Sequence, residues 1–310
     1  AETMLVDFRQ RYPQHPLQPD ITPKLALAYS EQGKWALAAT EMERLSAISK
    51  DAAIARDAML QAATFHEKAG SRGASTKAYE RYLAQTLAIK PVPLVQVIEV
   101  RARLLNLAKQ DGNAKRELAL QKDIYDTDRN GGDARTDRTR YLGATAALAL
   151  AAPVAQAYRQ VALVEPLQKQ LKLKKAKLEE ALNAYALASE PGVADVSTAV
   201  TFQVASLYSD FGKAIMASQR PKKLSAVERE QYDVLLEEQA LPFEEKASDM
   251  HEVNTRRAAS GIYDPWVQRS FDALAQMLPV RYGRRERAEG IDVKAAPPAN
   301  LAESVAALEQ

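Results

Sequence analysis

Three histidines, His15, His66 and His251, are the only imidazoles in 310 residues, and there is no cysteine. A protein-bound transition metal needs several such ligands brought together, commonly from one helical turn or a short loop. These histidines lie 51 and 185 residues apart and no HExxH sequence occurs. The lack of cysteine removes disulfides, thiolate nucleophiles and sulfur-ligated clusters together. Ser30, Ser46, Ser49, Ser71 and Ser75 fall outside any GxSxG elbow, and neither GxGxxG nor GxxxxGK[ST] is present. The carboxylate pairs Glu179–Glu180, Glu237–Glu238 and Glu244–Glu245 are adjacent in sequence. Neighbours on a helix point about 100° apart, so these pairs do not converge on one substrate. The acidic stretch from 126 to 137, DTDRNGGDARTD, lacks the spacing and closing glutamate of an EF-hand calcium loop. The expectation is a chain with no catalytic residues, no cofactor and no metal.

The charged residues give a second kind of candidate. Lys172, Lys174, Lys175 and Lys177 make a basic run, and Arg281, Arg284, Arg285 and Arg287 make another. Both are expected to be solvated, with long stems lying over apolar surface. Lys172, Lys174, Lys175, Arg284 and Arg285 are therefore the candidates for meeting an acidic partner, a polyanion or anionic lipid. The whole chain is near balance, with 42 basic against 40 acidic residues and a formal charge of +2. That balance argues against nucleic acid as the partner.

Positioning such residues requires elements, and the composition points to helices. Hydrophobic residues make up 46%, aromatics 6% and glycines only 12 of 310, while alternating Val, Ile and Thr runs are nearly absent. Met4, Leu5 and Phe8 read as one face of an opening helix that stops at Pro13. Such a half-unit looks cut from a longer array. Thr22-Pro23 reads as a cap and first turn, with Leu25, Ala26 and Tyr29 on one face. Gly33 then reverses the chain before Trp35, Ala38 and Met42. A second pair turns at Gly70 and a third at Gly112, so the turn glycines are 37 and 42 residues apart.

These units resemble tetratricopeptide repeats, with Ala26, Tyr29, Gly33, Ala38 and Met42 at the pattern positions of the first. The second departs at His66 and Ser75, and the third at Ala108 and Glu117. His66 is expected to pack between helices. The resemblance implies an all-α, right-handed superhelical solenoid of antiparallel helix pairs, with longer and less regular helices in the C-terminal half. It also implies a concave face lined by the first helix of each pair. Its candidate binding residues are Lys24, Leu27, Ser30 and Glu31 in the first unit and Asp57, Gln61, Thr64 and Glu67 in the second.

Beyond the third pair, residues 126–137 read as a polar loop, and Pro153 as the junction of two short helices. A long helix is expected from about Pro166 to Ser189. Ser225 to Glu228 and Asp264-Pro265 carry helix-start signals. The organisation expected is repeat pairs over 1–125, the loop at 126–137, degenerate helical repeats over 138–287 and a linker with a terminal tail over 288–310. The segment LSAVEREQYDVLLEEQALPFEEKASDMHEVNTRR, the following GIYDPWVQRSFDALAQMLPVRY and the earlier YPQHP are similar to tetratricopeptide-rich proteins of the Gram-negative cell envelope. Some of these are associated with gliding or outer-membrane machinery. That resemblance implies a non-catalytic scaffold, periplasmic or outer-membrane-associated, whose partner is a protein or peptide of the envelope. Two other readings fit the same helices: a regulatory or substrate-presenting fragment of a larger enzyme, and a structural homo-oligomer. No run of 18 apolar residues is present, so no transmembrane span is expected.

Overall fold

The computed structural model describes residues 2–283. These residues are all-helical: thirteen α-helices and one 3-10 turn at Gly132–Ala134, with no strand among them. The helices are α1 (Glu2–Arg11), α2 (Gln18–Glu31), α3 (Trp35–Ile48), α4 (Ala52–Lys68), α5 (Arg72–Leu87), α6 (Leu94–Gln110) and α7 (Ala114–Arg129). There follow α8 (Asp137–Arg159), α9 (Leu167–Ser189), α10 (Ala194–Met216), α11 (Ala226–Ala258), α12 (Pro265–Met277) and α13 (Pro279–Tyr282). Each helix packs chiefly on the one before and the one after it.

The turns between α2 and α3, α4 and α5, and α6 and α7 are built alike. Gly33, Gly70 and Gly112 have φ of 70°, 71° and 64°, the left-handed region that a Cβ penalises. In each, the residue after the glycine donates its N–H back to the last turn of the preceding helix. The pairs are Lys34 to Tyr29 (2.9 Å), Ser71 to His66 (2.9 Å) and Asn113 to Ala108 (3.0 Å). This satisfies carbonyls that the helix end leaves open and starts the next helix one residue later. Gly261, at φ 81°, repeats the device between α11 and α12, with Ile262 N–H donating to Arg257.

Side chains of three or four successive helices share each small core. Ala26 of α2, Met42 of α3 and Ala58 and Ala62 of α4 form one cluster; Met59 and Ala63 of α4, Ala78, Tyr79 and Tyr82 of α5 and Val100, Leu104 and Leu107 of α6 form the next. Alanine at these crossings lets the backbones approach closely. From α8 to α11 a single larger core takes over, centred on Tyr158, Leu207 and Phe211, with their exposures at zero.

Several local expectations change. Helix α2 starts at Gln18, not at Thr22: the extra turn buries Ile21 against Leu5, Val6 and Phe8 of α1, and Thr22 itself is inside. Met4 points to solvent rather than joining that face. Pro153 lies within the continuous helix α8. Ala144, Ala147, Ala151, Ala155 and Tyr158 form one buried stripe across it, and that burial outweighs the lost hydrogen bond, a cost of about 3 kcal/mol. The polar loop begins after Arg129, because α7 continues through Asp126–Arg129. The loop is also less solvated than expected. Asp128 is buried and accepts from Arg135 Nη2 at 2.7 Å and Nε at 3.2 Å, which folds 130–136 back on α7. Gly143 of α8 sits against that carboxylate, where a Cβ would come within 2.6 Å of Asp128 Oδ2.

Candidate functional site

An open groove of about 300 Å³ runs between α2 and α4 over α3. Its floor is apolar, with Met42 and Leu45 from α3 and Ala58 and Phe65 from α4. Leu27 and Ile54, 59% and 50% exposed, stand on its rims. Asp57 and Gln61 follow Ile54 at helical spacing, and Ser30 completes the α2 side. Asp51 fixes where this rim begins by accepting from Ala53 N–H (2.7 Å) and Ile54 N–H (3.2 Å), which starts α4. Ser30 Oγ donates to Leu27 C=O at 2.8 Å and so stays close to its own helix. Trp35 does not reach the groove; it stacks on Phe65 at 5.9 Å beneath Lys68 and packs the turn.

The fold thus gathers Leu27, Asp57 and Gln61 at one place. Lys24 and Glu31 are exposed on the same helix as Leu27 but outside the groove lining. Thr64 is half-buried and turned toward α5: its hydroxyl donates to Leu60 C=O at 3.0 Å and lies 3.5 Å from Tyr79 Oη. Glu67 accepts from Tyr79 Oη at 2.8 Å and is likewise committed within the pair. The groove thus offers exposed apolar rims, an apolar floor, one acceptor-only carboxylate and one primary amide that can both donate and accept. Ile54, absent from the candidates expected from sequence, is the exposed large apolar residue of the α4 rim. Its spacing three residues before Asp57 is the signal that would have found it.

The basic run divides. Lys172 and Lys175 are exposed, and Lys177 pairs with Glu180 at 2.6 Å. Lys174 is not a solvated charge: it is 3% exposed. Its Nζ donates to Val161 C=O (2.8 Å) and Tyr158 C=O (3.3 Å) and lies 4.4 Å from the Tyr158 ring centroid. Those carbonyls are at the end of α8, so the ammonium caps that helix from α9, where the helix dipole favours a cation. Burial lowers the Lys174 pKa, opposed by Asp210. Arg284 and Arg285 lie outside the described residues.

His66 packs between helices, with no hydrogen bond to either ring nitrogen, and Nε2 lies 3.4 Å from Glu43. His251, placed by its surroundings in sequence on a charged helix, belongs to a buried polar network of α10, α11 and α12. Its Nδ1 lies 3.2 Å from Ser270 Oγ. Asn254 Nδ2 donates to Ser270 Oγ (2.9 Å) and to Thr198 C=O (3.0 Å). Arg257 donates to Asn254 Oδ1 (2.5 Å) and Thr201 Oγ1 (2.9 Å), and Thr198 Oγ1 donates to the Asp264 carboxylate that caps α12. Burial holds the His251 pKa down at about 4, so the ring is neutral at pH 7. Ser270 Oγ accepts from Asn254 and shares a hydrogen bond with the His251 ring. His251 and Ser270 are 3% and 0% exposed. Their contact joins α11 to α12, and Asn254 extends it to α10.

Among the described residues, no group of three or more His, Asp or Glu side chains is arranged to hold a metal ion, and no helix is long and apolar enough to cross a membrane. No family model matches the chain, and no curated protein matches it. Among solved structures it is similar to the crystal structure of BtubC (BKLC) from P. vanneervenii, at 13% identity over 84% of this chain and 89% of that one, with a TM-score of 0.37. That distant likeness bears on neither the arrangement of the helices nor function.

Proposed function

We propose that this protein is a non-catalytic scaffold of the tetratricopeptide type that holds an extended peptide in the groove between α2 and α4. The observation that carries the proposal is the convergence of Leu27, Ile54, Asp57 and Gln61 on one open apolar floor. The recurring glycine turns at 33, 70 and 112 and the cores shared by successive helices support a right-handed stack of helix pairs. The partner is an envelope protein of a Gram-negative bacterium, a placement resting on the sequence resemblance of the C-terminal segments. Asp57 favours a basic residue in the bound peptide.

The test is affinity capture of the full-length protein from envelope extract, followed by binding of each purified partner. A Leu27→Asp, Ile54→Asp variant should bind at least about tenfold more weakly, as expected for losing buried apolar contacts at an interface centre. Unchanged affinity with an intact circular dichroism spectrum would rule out the groove. Partners found only in cytoplasmic fractions would remove the envelope placement.

A second reading has its own observation. Val227, Val234 and Leu241 on α11 are 65%, 49% and 53% exposed and recur every seven residues, the spacing of a helix-pairing seam. Self-association through this stripe predicts a dimer that dissociates on dilution and is lost in Val234→Lys. Light scattering that gives a monomer at every concentration excludes it.

A further inference from the structure

A second, smaller cavity, half-open to solvent, lies in the other half of the molecule between α9, α10 and α11. Its volume is about 110 Å³. The walls are Leu167 and Leu171 from α9, Phe211 and Ile215 from α10, and Leu236 and Phe243 from α11. An engineered apolar cavity of about 150 Å³ accommodates benzene, so this one has room for a slightly smaller hydrocarbon group. Two exposed polar side chains, Lys175 and Gln239, also line it.

One residue of the wall carries a buried polar atom with nothing to bond. Ser218 is 4% exposed, and its Oγ has no hydrogen-bond partner. The rest of that residue is occupied: its N–H donates to Ile215 C=O at 3.0 Å, and its C=O accepts from Arg220 at 2.6 Å. Arg220 also donates to Asp233 Oδ1 at 2.9 Å, which ties the end of α10 to α11. Gln219 N–H donates to Leu163 C=O at 3.0 Å, and Glu165 N–H donates to Gln219 Oε1 at 3.0 Å. The hydroxyl is thus held in place beside an apolar cavity by neighbours that are all otherwise engaged. A buried hydroxyl without a partner is costly, and a ligand acceptor atom removes that cost.

We propose that this cavity is a binding site for a short-chain carboxylic acid or the acyl end of a longer one. The hydrocarbon occupies the apolar interior, one carboxylate oxygen accepts from Ser218 Oγ, and the charge lies toward Lys175 Nζ. The ammonium stays in contact with water, so it selects an anion without being desolvated itself. This site is separate from the peptide groove and does not depend on that reading.

The experiment is titration of the full chain with straight-chain carboxylates from butanoate to decanoate, followed by calorimetry and by amide chemical shifts. Affinity should rise about fourfold per methylene while the chain still fits, reach a Kd of about 1 mM near hexanoate, and then level off. Shifts should centre on α9, α10 and α11. Lys175→Glu, a change at an exposed position, should weaken hexanoate about tenfold and leave hexan-1-ol unaffected. Ser218→Ala should leave the free protein at least as stable and weaken hexanoate severalfold. No saturation by about 20 mM hexanoate, a concentration well above that Kd, overturns the proposal. So does equal binding of hexan-1-ol and hexanoate with Lys175→Glu silent, which would leave an apolar void without carboxylate preference.

Discussion

Between Gln18 and Arg129 the chain reverses after helices of 14 to 17 residues, whereas α8 to α11 run 23 to 33 residues each. The short helices divide their apolar surface among several small clusters. The long ones share one core and enclose Lys174, His251, Asn254 and Ser270 within their contacts. In the first region the buried hydroxyl of Thr86 bonds to Tyr82 C=O within its own helix, and that of Ser75 bonds across one glycine turn to Ala63 C=O of the preceding helix. In the second, polar side chains reach up to 66 residues along the sequence, as in Lys174 to Val161, Asn254 to Thr198 and Thr198 to Asp264. A stack of similar units obtains its arrangement from repetition of one turn. Among the long, unequal helices that turn recurs after α11, at Gly261, and buried cross-element polar contacts join the others.

The sharpest way to break this comparison is to empty each core. Phe211→Ala should cost about 4 kcal/mol and Leu25→Ala about 3 kcal/mol in urea unfolding. Hydrogen exchange should then show the loss confined to α8–α11 in the first case and to α1–α4 in the second. Equal loss of protection across both regions would mean one cooperative unit.

Acid should separate the regions next. With the folded imidazole of His251 at about 4 against an ordinary 6.5, the unfolded chain binds more protons between those values. Stability therefore falls as pH drops from 6.5 to 4, by on the order of 3 kcal/mol, and this contribution is constant above 6.5. In His251→Gln the thermal midpoint of the C-terminal region should lose that pH dependence.

Lys174→Ala should cost about 2 kcal/mol by stranding the Val161 carbonyl, the Tyr158 carbonyl keeping the Val161 N–H, while Lys172→Ala stays within about 0.5 kcal/mol. Equal effects would restore Lys174 to the surface. The smallest test contrasts two glycines. Gly70→Ala should destabilise by about 1 kcal/mol because its φ is positive, and Gly73→Ala, inside α5 with open space around it, should stabilise by a similar amount.

What the sequence revealed follows the same division. The turns at Gly33, Gly70 and Gly112 and the caps at Ser225 and Asp264 were legible because their physics is local: each is settled within about six residues. Pro153 misled because its local cost is outweighed by a buried alanine stripe that only packing reveals. Lys174 misled more deeply, since its neighbours Lys172, Lys175 and Lys177 all suggest a wet face. Its burial depends on the end of α8 arriving beside it. The groove was half legible: helical spacing placed Leu27, Asp57 and Gln61 on outward faces, but not the commitment of Thr64 and Glu67 to α5.

The capped end of α8 has one consequence in the time domain. Acylating reagents attack free amines, and Lys174 presents its amine only when α8 and α9 separate. In the intact protein it should be modified long after the exposed Lys172 and Lys175 two residues and one residue away. Its rate of labelling, read by mass, is then a clock for the opening of that single helix pair, with its neighbours supplying the unprotected reference on the same peptide.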